Sequence, residues 1–111
     1  MAGRDYRFLD AHIARKGVKE VDEATTLKVH EQVVLASSDD GAYTITLPGV
    51  MSAEGKFYSI LVDDEGDDNV TVSGVGLLGT YEKVMGTTNA FQLLVYSDGL
   101  QWHEVAFNEW D

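Results

Sequence analysis

An all-β fold is what this sequence predicts: a small sandwich or barrel of about six or seven short antiparallel strands behind an N-terminal arm. Three observations carry that expectation. Apolar residues recur with a period of two from Thr25 onward, as in "AYTITL" and "NVTVS". Turn signals such as "LPG", "AEGK" and "SDG" fall between these runs at intervals of roughly ten residues. The 111 residues hold 44% apolar side chains, enough for one packed core and too few for two.

The arm comes first. Between Arg4 and Lys16, Tyr6, Leu9 and Ile13 follow a helical spacing and Arg15-Lys16-Gly17 forms a basic stop, so a short amphipathic helix is expected. A helix of about a dozen residues is marginal alone in water, so it needs a surface to lie on. In "TLKVHEQVVLAS" the alternation runs through Leu27, Val29, Val33 and Leu35, with His-Glu-Gln as a turn between two strands. "AYTITL" places Tyr43, Ile45 and Leu47 on one face. "KFYSILV" and "AFQLLVYS" are apolar on both faces, which predicts strands covered on both sides. "NVTVS" is a further strand, and residues 90–105 form a β-hairpin bent at Asp98-Gly99. Trp102 after that bend is expected in the core.

Charge divides the chain unevenly. The formal charge is −11, yet Arg4, Arg7, Arg15, Lys16 and Lys19 lie in the first twenty residues against Asp5, Asp10 and Glu20. That segment carries +2 and the rest −13. A strongly acidic body disfavours nucleic acid as a partner, because phosphate is repelled over most of the surface. No apolar run reaches the roughly 18–20 residues that span a bilayer. "MAGRDYRFLDAHIARKG" has no unbroken hydrophobic segment, so no signal peptide and no membrane partner are expected.

Motifs for chemistry fail on their surroundings. "GVGLLG" matches the dinucleotide-binding G-x-G-x-x-G, but "TYEKVMGTTNA" follows, and its glycine and threonines break the helix that fingerprint needs. "DDEGDDN", Asp63 to Asn69, lacks the alternating ligand spacing of a calcium loop and reads as a solvated turn. His12, His30 and His103 have no zinc spacing, and no serine sits in G-x-S-x-G. No catalytic residue, metal site or cofactor is expected, and the chain reads as a binding protein rather than an enzyme. Phe107 and Trp110, large aromatics in a short terminal tail, are the expected subunit contacts.

Thr44, Ile45, Thr46, Leu47 and Pro48, then Gly55, Lys56, Tyr58 and Ile60, then Asn69, Val70, Thr71 and Val72, and finally Asp98, Gly99 and Trp102 stand in an order that resembles bacteriophage virion β-domain proteins. These are the domains of head-decoration proteins, head fibres and tail-fibre segments. The resemblance spans about residues 25–105. It implies a homotrimer and a place on the outer surface of a virion capsid, assembled in the host cytoplasm. The expected organisation is an attachment arm at 1–24, a β domain at 25–105 and a tail at 106–111. The expected function is capsid decoration: the protein binds and stabilises the assembled head shell, with the major capsid protein and itself as partners. Arg4, Tyr6, Arg7, Leu9, Ile13 and Arg15 are the expected shell contacts. A fibre module binding a receptor or glycan through exposed aromatics is the alternative.

Overall fold

A computed structural model of the chain describes residues 17–37, 41–63, 68–85 and 89–110. The expected arm helix and the six expected shell-contact residues lie outside these, as does most of the acidic segment 63–69. Nine strands are described: β1 Val18–Val21, β2 Thr25–Thr26, β3 Val33–Ala36, β4 Tyr43–Thr46, β5 Phe57–Val62, β6 Val70–Val75, β7 Thr80–Met85, β8 Ala90–Ser97 and β9 Trp102–Trp110. They form a five-stranded sheet in the order β9-β8-β5-β3-β1 and a four-stranded sheet in the order β2-β4-β6-β7. The inner faces share one buried cluster, with Val34, Tyr58, Ile60 and Leu93 from the first sheet and Ile45, Val72 and Met85 from the second.

The all-β expectation holds, and two parts of it need correction. The described strands number nine, and both sheets are mixed rather than antiparallel. β1, β3 and β5 run parallel, as do β2, β4 and β6. The cause is the path of the chain, which crosses from one sheet to the other after every strand from β1 to β5. Each circuit adds one strand to each sheet in the same direction, so the strand in the opposite sheet serves as the crossover a parallel pair requires. Antiparallel pairing begins where the chain turns back in the hairpins β6–β7 and β8–β9 and where β8 lies along β5.

Alternation within β3 is also opposite in phase to the expectation. Val34 and Ala36 face the core, while Val33 is half-exposed. "VVLA" is apolar at every position, so period two cannot choose a face. Pairing chooses it: Val34 stands beside Ile60 and Ala36 beside Val62, all pointing inward. Two strands had no clear sequence signal. β1 falls within the segment expected as arm, and β7, "TYEKVM", follows the glycine turn. Residues 106–110 continue β9 instead of leaving the sheet.

Large side chains and loop anchors close the core. Trp102 is buried, edge-on to Tyr58 at 5.5 Å between ring centres. The Tyr58 hydroxyl donates to the Val29 carbonyl at 2.6 Å, and burial pushes its phenol pKa up. Gly74 permits the indole's position, because a Cβ there would lie 2.6 Å from Trp102 Cδ1. Ser97, fully buried, donates its hydroxyl to the Val50 carbonyl at 2.6 Å and ties the loop after Pro48 to the last hairpin.

Candidate binding surfaces

Strand direction gives the body two chemically different ends. β1, β3 and β5 all start at one end, where Gly55 N–H donates to the Ser97 carbonyl and the β8–β9 turn lies. The β6–β7 turn reaches the same end, with Leu77 N–H donating to the Leu100 carbonyl at 2.6 Å. Gly76 allows this contact, since a Cβ on it would lie 2.9 Å from the Gln101 Cα. The joined turns hold Val75, Leu77, Leu78 and Leu100 outward, each at least half exposed, with Met51 exposed on the neighbouring loop. Chain enters β1 at Gly17, so the segment 1–16 joins the body at this turn end. Lys19 pairs there with Glu31 at 3.6 Å, and the Lys28 backbone N–H holds the Glu31 carboxyl below its usual range.

At the opposite end the strands finish in Asp22 and Glu23 after β1, Asp63 after β5, Asp68 before β6 and Glu109 in β9.

Register places the outer side chains of the five-stranded sheet in rows. One crosses Val18, Val33, Ser59, Leu94 and Ala106, and the next crosses Glu20, Leu35, Leu61, Gln92 and Asn108. A shorter row toward the turn end holds Phe57, Tyr96 and His103, with ring centres 4.7 Å and 6.5 Å apart. Phe57, Val33 and Leu61 are 48%, 45% and 37% exposed. Within one chain the two-sided apolar strands are thus covered on one side only. The other apolar side forms a continuous outer surface.

Next to the aromatic row, Asp98 is a turn residue whose Oδ1 accepts from the Leu100 and Gln101 N–H groups, both at 2.8 Å. Its Oδ2 lies 2.7 Å from His103 Nε2. The imidazole, then the two backbone donors, hold its pKa down at about 2. This locks the hairpin bend and gives His103 a structural partner.

Of the two expected subunit contacts, Phe107 turns inward. It stacks on Phe91 at 5.6 Å, with the Lys83 ammonium 4.0 Å above its ring. Lys83 also pairs with Glu104, which accepts from the Tyr81 hydroxyl at 2.8 Å, so this group closes the β7–β9 side of the sandwich. Burial first, and then the Glu104 carboxylate, push the Tyr81 phenol above its usual range. Trp110 points outward and is 47% exposed. "GVGLLG" forms the end of β6 and the β6–β7 hairpin turn, with a strand rather than a helix after it. Among the described residues no three His, Asp or Glu side chains converge on a metal-sized site, and no helix is long and apolar enough to cross a membrane.

Sequence reasoning missed both the apolar outer face and the joined turns. The residues were visible, but their convergence depends on register and on which turns meet in space. Comparison with protein-family models, with curated proteins and with solved structures returns no match.

Proposed function

We propose that the protein is a virion surface component that decorates an assembled phage head shell, held by the end of the body where its basic arm enters. The observation that carries this reading is the polarity of the fold. The arm's junction and the exposed Leu77, Leu78 and Leu100 share one end, and Asp22, Glu23, Asp63, Asp68 and Glu109 lie at the other. A body built this way attaches by one end and presents the acidic end outward. Binding to the assembled shell and not to its free subunits would stabilise the shell by mass action.

The test is co-sedimentation of the full chain with assembled heads. Deleting residues 1–16 is expected to abolish binding while the body stays folded, and L77S/L78S to weaken it. Full binding by the deletion variant would overturn the assignment of the arm. A second reading, a glycan-binding fibre module, is favoured by the Phe57–Tyr96–His103 row, whose spacing suits stacking on sugar rings. Quenching of tryptophan fluorescence by host polysaccharide, with no shell binding, would select it.

A further inference from the structure

We infer that the outer face of the five-stranded sheet is where a second copy of this chain docks, whatever the body attaches to. The face is continuous from β1 to β9, and among its positions in register Glu20, at the β1 edge, is the one carboxylate. In a chain of net charge −11 that exclusion is selective. Two copies repel wherever their carboxylates meet, so the surface on which they can approach must be free of them. A basic partner would be drawn instead to the acidic end, where Asp22, Glu23, Asp63 and Asp68 lie.

The dimensions also fit. Five strands about 4.8 Å apart span roughly 20 Å, and the strands run from about 13 Å for the four residues of β1 and β3 to about 27 Å for the eight of β8. With side-chain relief, and with Val105 and Trp110 at the β9 side, the face approaches the roughly 800 Å² that each partner contributes to a specific interface. A face of that order with exposed Val33, Phe57 and Leu61 across it marks an interaction site. Its centre is aliphatic, Val33, Leu35, Leu61 and Leu94, with rings confined to one corner. A hydroxyl-rich sugar laid over that centre would lose its water hydrogen bonds without replacement, whereas an identical aliphatic face matches it. Sheet faces pack in this way at about 10 Å.

Light scattering coupled to size exclusion, on the full chain from micromolar to several hundred micromolar, tests the inference. The expected mass is a multiple of 12.2 kDa greater than one. Leu61→Lys, at the centre of the face, is expected to weaken association by about 30-fold or more. Thr71→Lys, on the outer face of the other sheet, is expected to leave it unchanged. Circular dichroism and cooperative urea unfolding establish that each variant is folded. Should Leu61→Lys fail to fold, Val33→Lys at a more exposed position gives the same readout. A monomer throughout the concentration range would overturn the inference. So would association that survives in a folded face variant but is lost on deleting residues 1–16. Failure of shell binding with the oligomer intact would count against the decoration reading alone.

Discussion

On the outer face of the four-stranded sheet, Thr44, Thr71 and Val84 stand in one row and Thr46, Ser73 and Glu82 in the next. On the five-stranded sheet, the outward rows hold Val33, Ser59 and Leu94, then Leu35, Leu61 and Gln92. Both sheets have an apolar inner face that enters the same buried cluster. Their outer faces differ in chemistry. Threonine and serine hydroxyls exchange hydrogen bonds with water, so the second sheet loses little by facing solvent. Leu61 and Phe57 hold apolar surface in water, at roughly 25 cal/mol for each Å² left uncovered. A difference of this kind between the two outer surfaces shows that burial within one chain does not account for every apolar residue.

The comparison is tested most severely where the sheets are supposed to be alike, on their inner faces. Tyr58→Ala in β5 and Ile45→Ala in β4 each empty a fully buried position, and each is expected to cost about 2–5 kcal/mol in urea unfolding. A loss in one sheet without the other would show that the two do not share a single core. Gly74→Ala ranks next. The added methyl group meets Trp102 and Leu47 at under 3 Å, and overpacking of this kind costs about 1–3 kcal/mol. Unchanged stability there would mean that the indole can move, and with it the hairpin holding the apolar turn.

Outer-face exchanges are expected to change folding stability less. Leu61→Thr and Thr71→Leu should each shift it by under about 1 kcal/mol, with self-association lowered by the first and not by the second. Equal effects on association would erase the distinction between the faces. The smallest effect concerns Asp98 at the corner of the apolar face. Its folded pKa of about 2 lies below the ordinary 3.8, so its contribution is complete above pH 4 and is lost as pH falls toward 2. The melting temperature of Asp98→Asn should therefore depend less on pH than the wild type across that window. Identical slopes would show that the His103 contact does not survive in solution.

Much of the β domain was legible residue by residue. "YTIT" and "VTV" alternate with polar partners, so only one face could go inward, and Ile45, Val70 and Val72 did. The hairpin at Asp98-Gly99 was legible because the turn chemistry is local: the Asp98 carboxylate caps two backbone N–H groups, and Gly99 adopts φ 93°. β1 and β7 were not legible. Both are short and partly charged, and both owe their strand conformation to a neighbouring strand.

Sequence by itself thus determined the strand class, the turns and the split between a basic start and an acidic remainder, because each is a property of neighbouring residues. Tertiary structure alone decided that β1, β3 and β5 run parallel and that Val34 rather than Val33 faces inward. It also brought Leu77 against Leu100 and left Leu61 and Phe57 on an open face. In each of these cases the residues are too evenly apolar, or too far apart in the chain, for local preference to choose, and pairing between distant strands makes the choice.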